Sequence, residues 1–231
     1  MNSVDMSSRR DFLKLLGIGG GGLVLGLPLG GCASSTNPAA VEGAYTPSVW
    51  LQVTADNRIH FYQPYNEMGQ GTDTGITTLV AEELNVAAES ITVHHAGVDP
   101  AFKNPEFGLQ TTGGSTSIKA SYLAVRQLGA DTRETLRRAA AQQLGLDVGD
   151  INMQDGYVVW PGGKQPYGDF AELAANLKPA HDTPLKQPGE FSQIGQPRVR
   201  LDAAAKSTGT AVYGIDIEIP NLHYAVLVRC P

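Results

Sequence analysis

Cysteine is nearly absent: the 231 residues hold two, Cys32 and Cys230. A cysteine-ligated iron–sulfur cluster needs four thiolates, and a thiolate-rich structural zinc site needs nearly as many, so this chain alone holds neither. Charge is also scarce, at 17% of residues with a net of −6. A sequence-independent grip on nucleic acid requires a basic cluster, and none stands out, so nucleic acid is excluded as a partner. Long apolar runs are missing too. Leu15 to Gly31 is free of charge, but eight of its 17 residues are glycine. A spanning helix needs about 20 strongly apolar residues, and each interior glycine costs roughly 1 kcal/mol. What remains is ordinary: 42% apolar residues, typical of a folded protein, in a length suited to one generous domain or two small ones.

The N-terminus carries an address. "SRRDFLK" (8–14) sets paired arginines before the weakly apolar stretch and its small residues. That is the pattern of a twin-arginine export signal over residues 1–32. "LGGC" (29–32) resembles a lipobox, which would make Cys32 a lipidation site and a lipid membrane tether; ordinary cleavage nearby is the plainer alternative. The polar "ASSTNPAAVEGAYTP" (33–47) is the tether that follows. The chain is therefore expected in the periplasm or cell envelope.

Folded sequence begins at Ser48. "VWLQVT" and "RIHFYQ", split by "ADN", predict a β-hairpin. "DTGITTLVAEELNV" spaces Ile76, Leu79, Val80 and Leu84 as a helix does, with Thr72 or Asp73 as N-cap. "SITVHHAG" is a short strand, in which His94 and His95 point to opposite faces and cannot chelate one ion. Residues 97–114 form a long aperiodic loop, uncommon unless it has a task. A long helix follows, presenting Ile118, Tyr122, Val125, Gly129, Leu136, Ala140 and Leu144 on one face. Arg126, Arg133 and Arg137 are expected on its solvated side. Residues 150–177 read as strand, Asp-Gly turn, strand, glycine turn and a short helix from about Gly168. Residues 179–200, rich in Pro and Gln, read as a linker, and 201–231 as the opening strands of another unit. The fold class is α+β (α/β). The terminal apolar strand "HYAVLVR" expects neighbours on both sides, so the chain is read as the front of something longer.

Two loops raise the functional question. "NEMGQGT" (66–72) and "TTGGSTS" (111–117) are glycine-rich, hydroxyl-rich and without lysine, and each opens a helix. Helix N-termini offer unpaired N–H groups and bind anions. Neither loop has the spacing of a phosphate loop or of a dinucleotide fingerprint. Each alone is explained as a turn plus cap; the repetition is what invites a ligand.

"NEMGQGTDTGITTLVAEELNV" resembles a segment of the molybdenum hydroxylases, the xanthine dehydrogenase and aldehyde oxidase family. "TTGGSTS" resembles that family's hydroxyl-rich cofactor loop, and "AKSTGTAVYGIDIEIPNLHYAVLVRCP" the start of its α/β hammerhead domain. The order of these parts behind a twin-arginine signal is similar to the large subunit of isoquinoline 1-oxidoreductase-type enzymes. The resemblance implies a molybdopterin-binding segment over 48–178, a linker over 179–200 and a truncated hammerhead over 201–231. It implies that Met68, Gly69, Gln70, Gly71 and Thr72 line the pyranopterin, and that Ser115, Thr116 and Ser117 contact its phosphate or pterin edge. The cofactor would be molybdopterin cytosine dinucleotide. Oxidation would fall on an N-heterocycle or an aldehyde, with electrons leaving through a separate small [2Fe-2S] subunit. In this family the glutamate base and the rest of the cofactor cage lie downstream, in the remainder of the large subunit. No catalytic residue is therefore assigned, and the chain alone is expected to be inactive. Glu67, Glu82 and Glu83 are carboxylates in the right region, but Glu82 and Glu83 fall on a helix where surface placement is the default. The alternative reading is a non-enzymatic envelope lipoprotein that binds a ligand or partner.

Overall fold

The computed structural model describes residues 22–26 and 49–230. The twin-arginine motif, Cys32 and the tether lie outside the described residues. The architecture is mixed α and β. Strands β1 (Gly22–Gly26), β2 (Val49–Thr54), β3 (Ile59–Gln63) and β4 (Ile91–His95) form one sheet in that order. β1 falls within the segment read as an export leader and pairs antiparallel with β2. β2 and β3 make the expected hairpin, with Leu51 opposite Phe61. β4 runs parallel to β3. Parallel neighbours need a crossover, and helix α1 (Thr72–Leu84) supplies it.

Helix α2 (Thr116–Leu144) lies along α1 in the same direction. Gly75, near the start of α1, faces Ile118, near the start of α2, while Gly129 lies against Val80 and Leu84. A Cβ on Gly129 would sit 2.8 Å from the Val80 carbonyl oxygen and 3.1 Å from Glu83 Cβ, so only glycine allows this approach. Val53, Phe61, Ile76, Val80, Val125 and Leu136 fill the core between helices and sheet.

A second, antiparallel sheet joins β5 (Asn152–Gln154), β6 (Tyr157–Trp160) and β7 (Gly163–Pro166). β7 is an addition to the expected pattern. "GKQP" has no apolar alternation and is a strand through its pairing with β6. A 3-10 turn, Tyr167–Phe170, then leads into α3 (Ala171–Asn176). The Tyr167 hydroxyl donates to the Leu84 carbonyl at 3.0 Å, and the Asn85 amide donates to the Met153 carbonyl at 2.7 Å. Both bonds dock this sheet against the end of α1.

The segment expected as a free linker is fastened down. Its regular structure in 179–198 is limited to a 3-10 turn at Pro188–Glu190 and a hydrogen-bonded turn closed by the Gln196 N–H on the Gln193 carbonyl at 3.2 Å, yet it straps across the helix pair. The Glu82 carboxylate accepts from the N–H groups of Ser192 at 3.0 Å, Gln193 at 2.6 Å and Ile194 at 3.0 Å, and from Lys186 Nζ at 2.7 Å. Glu83 accepts from Arg126 Nε at 2.9 Å and Nη2 at 2.6 Å and from the Lys186 N–H at 3.3 Å. Arg133 donates to the Glu83 carbonyl. The expected surface carboxylates Glu82 and Glu83 are fully buried, and the expected solvated Arg126 is buried with them. The reason is physical: a strap without a ladder still needs acceptors for its N–H groups, and buried charge persists where it is paired.

Residues from Val199 onward form a second unit. It contains α4 (Ala203–Thr208) and a 3-10 turn at Gly214–Asp216. The strands expected there are not formed among residues 199–230. Val226, Leu227 and Val228 are exposed, and an apolar segment without a pairing partner has no ladder to hold it as a strand.

Candidate functional site

The site lies where the chain leaves β3 and enters α1, beside the start of α2. Its two loops meet directly: the Asn66 N–H donates to Thr112 Oγ1 at 2.8 Å. One layer below, the Tyr65 hydroxyl and Ser121 Oγ are 2.9 Å apart. The long loop between β4 and α2 is an ordered arm that delivers Thr112. Gln110 ties it down, donating to the Gly97 carbonyl at 3.2 Å and the Pro64 carbonyl at 3.4 Å. Buried Asn104 donates to Thr116 Oγ1 at 2.6 Å.

The two helix starts differ. At α1 the position before the helix is Gly71, not Thr72 or Asp73, and its φ of 84 is a conformation that glycine adopts freely. The cap comes from Glu67. Its Oε1 accepts from the N–H groups of Gly69 at 2.7 Å and Gly71 at 3.1 Å, and its Oε2 accepts from the Asp73 N–H at 3.0 Å. Two of the donors expected to be unpaired at the start of α1, those of Gly71 and Asp73, are therefore satisfied by the chain's own carboxylate. At α2 the preceding residue, Ser115, has a φ of 54, and its own side chain does not cap the helix. Among the described residues Glu67 serves the start of α1, whereas at α2 the Thr116 N–H donates to the Gly113 carbonyl at 3.2 Å.

Among the residues picked from sequence, Met68, Gly69, Gln70 and Ser115 are exposed, Gly71 is half-buried, and Thr72, Thr116 and Ser117 are buried. The Gln70 side chain folds over its own loop, accepting from the Met68 N–H at 2.6 Å and donating to the Asn66 carbonyl at 2.8 Å. The Thr116 hydroxyl is engaged inside the second loop, donating to the Gly113 carbonyl at 2.9 Å. Sequence reasoning passed over Glu67 as a cap, although an acidic residue just ahead of two helix-opening glycines is the signal that marks it. It also passed over a polar cluster under the first loop. Gln63 donates to Asp73, and Asp73 lies 3.4 Å from His95 Nε2. The hydrogen bond that the His95 ring donates to the Asp73 carboxylate raises the pKa of His95 above its usual value. This cluster sits at the carboxyl ends of the parallel pair β3 and β4, where α/β folds commonly place ligands.

The donors at the two loops are backbone N–H groups, hydroxyls and side-chain amides; Lys119, near the start of α2, is paired with Glu106 at 3.1 Å. Among the described residues no group of three or more His, Cys, Asp or Glu is arranged around a metal ion.

The molybdopterin cofactor-binding domain family matches residues 8–228. The chain belongs to that family, within the molybdenum hydroxylases. Over 79% of its length it is 30% identical to a membrane-bound aldehyde dehydrogenase [pyrroloquinoline-quinone] of Gluconacetobacter polyoxogenes. Over 97% of its length it is 26% identical to isoquinoline 1-oxidoreductase subunit beta of Brevundimonas diminuta. It spans 24% and 33% of those two relatives. Among solved structures it is similar to quinoline 2-oxidoreductase from Pseudomonas putida 86, with a TM-score of 0.41 and 17% identity over 58% of this chain and 17% of that one.

Proposed function

We propose that this member of the molybdopterin-binding family supplies two loops of the cofactor cage in an exported molybdenum hydroxylase large subunit. The observation that carries the reading is the junction of the two loops through Asn66 and Thr112, beside an α2 start that the Ser115 side chain does not cap. The phosphate or pterin edge lies at Ser115, Thr116 and Ser117, where backbone donors are not spent on a carboxylate. Met68 to Thr72 face the pterin, and Gln70 exchanges its two intraloop bonds for bonds to the ligand. When bound, the molybdenum cofactor supplies two-electron oxidation of an electron-poor carbon. The chain's own part is to bind and orient the group.

The substrate class is an N-heterocycle or an aldehyde, in line with the names of the two relatives. The cofactor is the cytosine dinucleotide form, and the electron route is a small [2Fe-2S] subunit. The chain alone is inactive, because the base and the other half of the cage belong to the remainder of the subunit. Export follows the twin-arginine route, with a lipid on Cys32; Cys32→Ser should then move the protein from the membrane to the soluble periplasmic fraction.

The test is metal and cofactor analysis of the protein purified from its own envelope together with its small subunit. The expected result is molybdenum in proportion to protein and a cytosine nucleotide released on acid treatment. Thr112→Val, which removes the acceptor joining the loops, should lower molybdenum retention while the melting temperature holds. Protein that carries a quinone and no molybdenum would refute the proposal.

A further inference from the structure

We propose that a cleft toward the C-terminal end of α1 binds a phosphate group, free or esterified to a small molecule. The cleft has a volume of about 630 Å³ and lies between the second half of α2, β5 and the start of the strap. It is about 25 Å along α2 from the glycine loops, counting 1.5 Å per residue from Thr116 to Arg133. Small-ligand sites commonly fall in the range of about 300–1,000 Å³.

Three arginines make the chemistry. Arg133, Arg137 and Arg138 all line the cleft, in a chain whose net charge is −6. One carboxylate holds two of them side by side: Glu134 accepts from Arg137 Nε at 2.8 Å and from Arg138 Nε at 2.9 Å. Arg137 also donates from Nη1 to the Val148 carbonyl at 3.3 Å, and Arg133 donates from Nη1 to the Glu83 carbonyl. Each guanidinium carries five N–H donors, so most remain unspent. Glu134 therefore acts as a spacer that leaves both Nη groups of Arg138 and Nη2 of Arg137 for a ligand. Arg133 is pinned from the far side by the buried Glu83.

His181 and the Asn152 amide also line the cleft, as does Asp182. Among the lining residues three arginines face two carboxylates, Glu134 and Asp182, and Arg133 also lies 3.8 Å from the buried Glu83 carboxylate, which Arg126 shares. Paired guanidinium forks match phosphate and carboxylate alike. The number of unspent donors decides between them, since it exceeds what a single carboxylate can accept and suits a phosphate with its further oxygens. Ile151, Met153 and Pro184 offer apolar wall to an esterified remainder. In the sequence this cluster is hidden, because Glu134 is set among the arginines and β5 and the strap approach them only on folding.

Calorimetric titration of the whole chain with inorganic phosphate, phenyl phosphate and benzoate tests the proposal. Both phosphates should bind with a Kd below about 1 mM and weaken as salt is raised. Phenyl phosphate binding tighter than phosphate marks the esterified source, and equal affinities mark the free one. Arg138→Gln is the variant of choice, because that side chain is half exposed and its loss spares the core. It should weaken phosphate about tenfold, the scale of one lost charged partner. In the wild-type protein, phosphate should also shield Arg137 and Arg138 from phenylglyoxal, read by peptide mass spectrometry. Benzoate binding as tightly as the phosphates, no saturable phosphate binding, or binding that neither shields these arginines nor responds to Arg138→Gln would overturn it.

Discussion

Glu82→Gln tests how the strap is held. The Glu82 side chain is fully buried. Burial by itself would push its carboxyl pKa up, but the Lys186 ammonium and the amides of Ile194, Gln193 and Ser192 outweigh that and bring it down to about 2 from 4.5. A depression of that size corresponds to about 3 kcal/mol of folded-state preference for the charged form. Removing one member of a buried charged pair commonly costs about 3–5 kcal/mol, so the two routes agree. A folded pKa below the unfolded value gives stability that is complete above about pH 4.5 and is lost as pH falls toward 2. At pH 7 the variant should therefore be about 3 kcal/mol less stable, or about 10 °C lower in Tm for a domain of this size. The two proteins should converge as pH drops. Hydrogen exchange should localise the change, with Ser192, Gln193 and Ile194 losing protection while the centre of α2 keeps its own. A Tm within about 2 °C of wild type at pH 7, or a gap that does not narrow in acid, would refute the reasoning.

Gly129→Ala should destabilise by about 1–3 kcal/mol in urea denaturation, because the new methyl meets the Val80 carbonyl and Glu83 Cβ. Gly75→Ala should cost less, since the atom it meets, at 2.8 Å, is the tip of the flexible Ile118 side chain. The raised pKa of His95 comes from Asp73, so its stabilising contribution is present at low pH and is lost as pH rises through the folded value. Asp73→Asn should remove the upward shift in an NMR titration of that ring. Tyr167→Phe should cost about 1 kcal/mol in chemical denaturation by leaving the Leu84 carbonyl at the end of α1 without its buried donor.

Elements with a strong period were legible in the sequence. The hairpin, α1, β4 and α2 follow from alternation and from apolar spacing of three and four, because each buries one face against a common core. β7 was not legible, since pairing with β6 and not side-chain pattern makes it a strand. Glu82 and Glu83 read as surface residues because a helix period says which face is polar, not whether a strap 100 residues later will cover it. The same gap hid Arg126, whose partner Glu83 is 43 residues earlier. At the site, glycines and hydroxyls marked where the loops are. They did not reveal that Glu67 would fill one helix start and leave the other, because that choice depends on a backbone turn and not on composition.

The shared direction of α1 and α2 has an electrical consequence. Each helix carries roughly half a positive charge at its first turn. In an antiparallel pair that charge would face its opposite; here two like poles are held together, and their mutual repulsion is built into the fold. The Glu67 carboxylate cancels one pole and leaves the other. The glycine-loop end therefore carries a standing demand for negative charge, and any anion that settles at α2 both fills a site and relieves a tension between the helices.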